Sequence, residues 1–170
     1  MGMMLDVRAA AQAQKVRASP LNAEAFAPFG EVLAVPDQPG RAYFEAALSN
    51  KRPGAWPSLS LSMREPSSAP VHVTAMERHA FSSQSFVPLG VARWLVLVAP
   101  GAPGGGPDMA RAQAFLAGPG QGVTYRADVW HHGLTVLDHP ARFATFMWRD
   151  GTEGDEEFVD VPPFNVELPA

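Results

Sequence analysis

No stretch of this chain runs far before a glycine or a proline interrupts it, and that punctuation limits what it can fold into. Fifteen glycines and seventeen prolines are spread through 170 residues. Each breaks a regular ladder or opens a turn, so long helices are disfavoured and many short extended segments are expected. An apolar share of 46% against 18% charged residues marks a chain with a packed core rather than a disordered one. One domain over 20–170 is expected, behind a flexible alanine-rich leader over 1–19, with no internal repeat.

The charge balance narrows the partners. A net charge of −4 lacks the concentrated basic surface that displaces counterions from a phosphate backbone, so nucleic acid is not an expected partner. The longest uninterrupted apolar run, 94–100, is too short to span a bilayer, and the N-terminus shows no secretory apolar core. The absence of cysteine removes disulfides, thiolate nucleophiles and sulfur ligands, and suits a reducing compartment. A cytoplasmic protein acting on a small molecule is expected.

In chain order, Leu21–Phe26 reads as a short helix with Asn22 as N-cap, ended by Pro28 and Gly30, with Phe26 and Phe29 pinning it to the core. Strands are expected at 31–35, 43–44, 59–63, 70–79, 81–89, 93–98, 134–137 and 142–148, and one should follow the Gly-Pro turn at 118–122. Asp108 is expected to cap a turn at 109–113, and the acidic segment 153–160 to form a solvated lid or tail. Such an order of short strands predicts an antiparallel sandwich or barrel.

Two places concentrate chemistry. In Val71–His79 the odd positions, Val71, Val73, Ala75, Glu77 and His79, should share a face that runs from core packing into a polar pocket. Trp130-His131-His132 lies where two extended segments meet, and alternation would send only one imidazole of the pair into a common cavity unless the backbone bulges. Glu77, His79 and one of these histidines, joined by Gln84, form either an acid and base set or an N/O ligand set for a divalent metal. The plainer alternative pairs Glu77 with an arginine and leaves the histidines bonded to backbone. Arg78, Arg126 and Arg149 are candidate clamps for an anionic substrate, because a guanidinium fork matches a carboxylate. His72 and His139 read as surface or turn residues. Gly104-Gly105-Gly106 lacks the lysine of a phosphate loop, and the acidic segment lacks the frame of a calcium loop.

Several ordered blocks resemble the ureidoglycolate lyases, formerly called ureidoglycolate hydrolases. They are 76–79 with 83–89, 96–100, and 114–116 through 120–125 to Val129-Trp130-His131-His132, with a weaker match from Leu21 through Phe29-Gly30-Glu31-Val32. The resemblance implies a mainly β, cupin-like jelly-roll barrel or sandwich with one or two short helices, commonly a homodimer. It also implies cleavage of ureidoglycolate to glyoxylate and urea. The expected catalytic residues are Glu77, His79, His131 and His132. The expected substrate contacts are Arg78, Gln84, Tyr125, Trp130 and Arg149. A divalent metal such as nickel, held by Glu77, His79, Gln84 and His131, is the candidate cofactor. This chain departs from the family at Arg126, where many members carry histidine, at Gly133, where they carry proline, and at Trp148-Arg149, where they carry aspartate before the arginine. A hydrolase releasing ammonia and carbon dioxide, or a non-catalytic cupin binding a small organic acid, remains the alternative.

Overall fold

The computed structural model describes residues 15–169. Those residues form twelve strands, one short α-helix and one 3-10 turn. The first part of the expected leader, 1–14, lies outside the described residues. The remainder is not a leader, because Lys15–Pro20 is strand β1, and Val16 and Ala18 alternate into the core between exposed neighbours. Strand β1 runs parallel to both of its partners, β7 (Gln113–Ala117) and β12 (Glu156–Glu167), so the sheet is not wholly antiparallel as expected.

The larger sheet continues from β12 to β4 (Val71–His79) and β9 (Trp130–His131), and from β7 to β6 (Arg93–Ala99). One edge of β6 is divided between two partners. Arg93–Leu95 pairs with β10 (Thr135–Leu137), whereas Val98 and Ala99 pair with β9. That second pairing closes β6, β7, β1, β12, β4 and β9 into a barrel, which leaves no free edge around the ring. The smaller sheet has the order β2 (Gly30–Ala34), β8 (Gln121–Tyr125), β5 (Gln84–Pro88), β11 (Ala141–Arg149) and β3 (Trp56–Arg64). The architecture is mainly β and cupin-like.

Two apolar cores follow. One joins Val71, Val73 and Met76 to Leu95, Leu97, Trp130, Phe164 and Val166, all from barrel strands. The other joins Phe86, Val123, Tyr125 and Phe143 of the smaller sheet to Trp94, Val96 and Val98. Strand β6 is therefore buried on both faces, which explains its unbroken apolar run. The helix α1 (Ala23–Phe26) is capped as expected, Ala25 N donating to Asn22 Oδ1 at 2.9 Å, and Phe26 and Phe29 are buried. At Gly30 the strands approach so closely that a Cβ would sit 1.8 Å from Thr124 O, which excludes any side chain.

Three local expectations fail. Tyr43-Phe44 forms no strand, and Tyr43 is exposed. The turn after Asp108 is confined to Met109–Arg111, and the aspartate side chain does not cap it. The acidic segment is neither lid nor tail, for its second half enters β12 against β4 and Asp155 is buried. Its carboxylates are interspersed with Phe158, Val159 and Val161, β-forming residues that the charge obscures.

Candidate active site

A cavity of about 490 Å³ is lined from both sheets. Glu77 and His79 of β4, Gln84 of β5, and His132 form one wall; Ser60, Ser62 and Arg64 of β3 with Thr145 and Met147 of β11 form the other. Glu156, opposite His79 in the β4–β12 register, also lines the space. Val71 and Val73 do not lead into it. They share the barrel core with Met76, while Glu77 and His79 reach the cavity at the end of the strand.

Hydrogen bonds fix the first wall. Gln84 stands between two imidazoles: its Nε2 is 2.9 Å from His79 Nε2 and its Oε1 is 3.2 Å from His131 Nε2. His131 Nε2 also lies 3.3 Å from Glu77 Oε1, and its Nδ1 is 2.9 Å from the Val129 carbonyl. Three oxygens thus surround His131, and the ring serves them all only with a proton on each nitrogen. Gln84 can then accept from His131 and donate to His79, which places the His79 proton on Nδ1, toward Asp155 Oδ2 at 3.7 Å. That distance is too long for a hydrogen bond, and His79 Nδ1 is a buried nitrogen without a partner. Asp155 is itself held by Phe81 N at 2.7 Å, by Arg52 Nη2 at 3.2 Å and by a short contact from Ser82 Oγ.

The two histidines of the pair divide as alternation requires. His132 lines the cavity, whereas His131 is buried behind Glu77 and Gln84 with its ring stacked on Tyr125, the centroids 4.1 Å apart. His132 Nδ1 donates to the Ala75 carbonyl at 3.2 Å, which leaves Nε2 as the acceptor of the neutral ring. Burial drives the His132 pKa below the ordinary imidazole range, against the Ala75 hydrogen bond and the Glu77 charge that favour the cation. Burial, reinforced by His131, also lowers His79, while Asp155 and Glu77 oppose the shift. Burial works to raise the Glu77 carboxyl, but the hydrogen bond and charge of His131, aided by His79 and His132, hold it below the usual range. Glu156 moves the other way, raised by burial and by the Glu77 and Glu153 charges despite Arg149. Two carboxyl groups lining one cavity are therefore shifted in opposite directions, and Glu156 is the one kept protonated toward higher pH.

Several expected contacts lie elsewhere. Arg78 is turned to the other face of β4, paired with Glu157 and Asp128 and set over the Trp130 ring at 4.6 Å, because alternation opposes it to Glu77. Trp130 is part of the barrel core, and Tyr125 backs His131 with its hydroxyl pKa driven up by burial and by Glu77. Arg126 donates to the Ala46 carbonyl. Arg149 is exposed beyond Met147 on β11, close enough to Glu156 to oppose its shift. His72 is exposed beside Asn165, and His139 bonds the Val91 carbonyl. Sequence reasoning missed Arg64, Ser60, Ser62, Glu156 and Asp155. The alternation of 59–64 was the available signal for the first three.

The donor set does not fit a divalent ion as arranged. His131 commits both nitrogens to oxygens, His79 Nε2 faces the Gln84 amide, and among the described residues no three His, Asp or Glu side chains stand where they could hold a metal.

The chain is similar along most of its length to known proteins. A relative in Agrobacterium fabrum is 40% identical over 154 residues, 90% of this chain and 95% of its own. A protein of Schizosaccharomyces pombe named ureidoglycolate lyase is 32% identical over 92% of this chain and 96% of its own. One of Rhizobium etli, of the same name, is 39% identical over 89% and 95%. The ureidoglycolate lyase family profile matches residues 13–167, and the chain belongs to that family.

Proposed function

We propose that this chain cleaves ureidoglycolate to glyoxylate and urea. The observation that carries the reading is the convergence of Glu77, His79, Gln84 and His132 on one cavity, with His131 bonded behind them. Ureidoglycolate bears a carboxylate, a hydroxyl and a ureido nitrogen on one carbon. His132 Nε2 takes the hydroxyl proton, the oxygen electrons form the new carbonyl, and the C–N bond breaks toward nitrogen. Glu156 returns a proton to the departing urea, since its raised pKa keeps it protonated further toward neutrality than an ordinary glutamate. No water is consumed. Glu77 bonds His131, and Gln84 bonds both His131 and His79, so these two hold the wall beside His132 rather than contact the reacting atoms.

The test incubates purified protein with each ureidoglycolate enantiomer, with and without chelator, and measures glyoxylate, urea and ammonia separately. Glyoxylate and urea in equal amounts support the reading. Ammonia identifies the hydrolase alternative, and loss of turnover in chelator restores the metal that the side-chain geometry does not accommodate.

The homodimer belongs to the same proposal. Strand β3 is an edge whose outer residues Leu59, Leu61 and Met63 are 69, 71 and 57% exposed, and Ala144 and Phe146 of β11 continue that face. A contiguous apolar sheet face suits a second copy of the chain. Leu59→Asp with Leu61→Asp should shift the sedimenting species from dimer to monomer. No helix among the described residues is long and apolar enough to cross a membrane. A cysteine-free chain suits the reducing cytoplasm proposed for it.

A further inference from the structure

Four basic side chains of this acidic chain are held in ion pairs among the described residues. Arg52 is paired with Asp150 and Asp155, Arg78 with Asp128 and Glu157, Arg93 with Asp138, and Lys15 with Glu167. Arg64 differs in both place and state. It lines the cavity, yet no hydrogen bond or ion pair holds its guanidinium among the described residues. Arg17 and Arg142 are likewise unpaired among the described residues, but of the three only Arg64 lines the cavity beside the reactive groups. The two residues before it on the same strand face, Ser62 and Ser60, also line the cavity and make no side-chain hydrogen bond. Strand β3 thus presents a fork of donors and two hydroxyls at two-residue spacing, opposite the wall that carries His132.

We propose that Arg64, assisted by Ser62 and Ser60, is the receptor for the substrate carboxylate and restricts the enzyme to 2-hydroxy acids. The inference rests on the ureidoglycolate reading for its substrate, but carboxylate recognition can be measured without turnover. The carboxylate binds the β3 wall through the guanidinium fork, and the carbon that carries hydroxyl and ureido groups then faces His132 and Glu156. The neutral amide of the same acid leaves the fork without its anion and is rejected. None of the three expected clamps fills this role in the structure, since Arg78 and Arg126 are committed elsewhere and Arg149 lies beside Glu156.

The experiment titrates the full chain calorimetrically with glycolate and with glycolamide, and measures kcat and KM on ureidoglycolate. The Arg64 side chain is exposed and makes no hydrogen bond or ion pair among the described residues, so Arg64→Gln should fold normally. We expect the wild type to bind glycolate and not glycolamide, and Arg64→Gln to weaken glycolate and raise KM by about tenfold or more, the usual cost of a lost hydrogen bond to a charged group. The kcat should move less than KM, and Arg64→Lys should restore part of the loss, a point charge lacking the fork. Arg142→Gln makes the same charge change on the opposite, exposed face of β11 and should alter neither constant. Equal binding of glycolate by wild type and Arg64→Gln, equal losses in both arginine variants, or no glycolate binding by the wild type would each overturn the proposal. A wild type that binds glycolate through Arg64 but leaves ureidoglycolate untouched would instead overturn the reaction.

Discussion

The two walls of the cavity are built on different principles. On the β4–β5–β9 side, Gln84 joins His79 to His131, His131 meets Glu77, and Asp155 is anchored behind His79. On the β3–β11 side, Ser60, Ser62 and Arg64 have no such partners. The first wall pays for its order before any ligand arrives, so its groups reach the reaction already oriented. The second leaves its donors open, and a ligand gains whatever bonds they form. Preorganisation marks where bonds are broken, and uncommitted polarity marks where the molecule is gripped.

That contrast can be broken most forcibly at His132. His132→Gln should lower kcat by about 10²–10⁴-fold with little change in stability, the usual loss for a general base. Retained turnover in steady-state assays would move the base to another residue. Gln84→Leu strikes the linkage instead. It orphans the buried His79 Nε2 and leaves His131 Nε2 with Glu77 alone, and should cost about 1–3 kcal/mol in urea denaturation, as well as activity. An unchanged midpoint would mean that the first wall is not held by this amide.

Acid should separate the walls more gently. The folded-state pKa of His79 and of His132 lies below that of the unfolded chain, near about 6.5. The unfolded chain therefore binds more protons as pH falls below that value, and their contribution to stability, complete above it, is lost toward acid. The lowered Glu77 carboxyl acts in the same direction at lower pH. Denaturation midpoints measured from pH 7.5 to 5 should fall, while the acid limb of kcat/KM, set by neutral His132, should lie below the ordinary histidine value. A limb above it would show that His132 is not shifted as its burial requires. Smallest of all, Ser60→Ala should change stability by no more than about 0.5 kcal/mol, as expected of a surface group that bonds nothing, and act only on KM.

The sequence made the first wall more legible than the second. Alternation along β4 brought Glu77 and His79 to one side and set Arg78 against them, even though the same alternation wrongly carried Val71 and Val73 into the pocket. The choice between His131 and His132 needed the Ala75 and Val129 carbonyls, partners that no spacing reveals. In β3 the two-residue period was plain but its direction was not. The usual rule turns Leu59, Leu61 and Met63 inward, and the fold turns Ser60, Ser62 and Arg64 inward instead. Asp155 was concealed by its acidic neighbours, because the Arg52 that neutralises it lies 103 positions away.

The amide of Gln84 has a further consequence, because its two ends are unlike. An oxygen at one end and an NH₂ at the other impose a direction on the row of side chains, so that the ring on one side must give a proton and the ring on the other must take one. A carboxylate there, as in Gln84→Glu, would present two identical oxygens, and that handed order would vanish. One nitrogen atom in a neutral side chain thus decides which imidazole donates to it and which accepts from it.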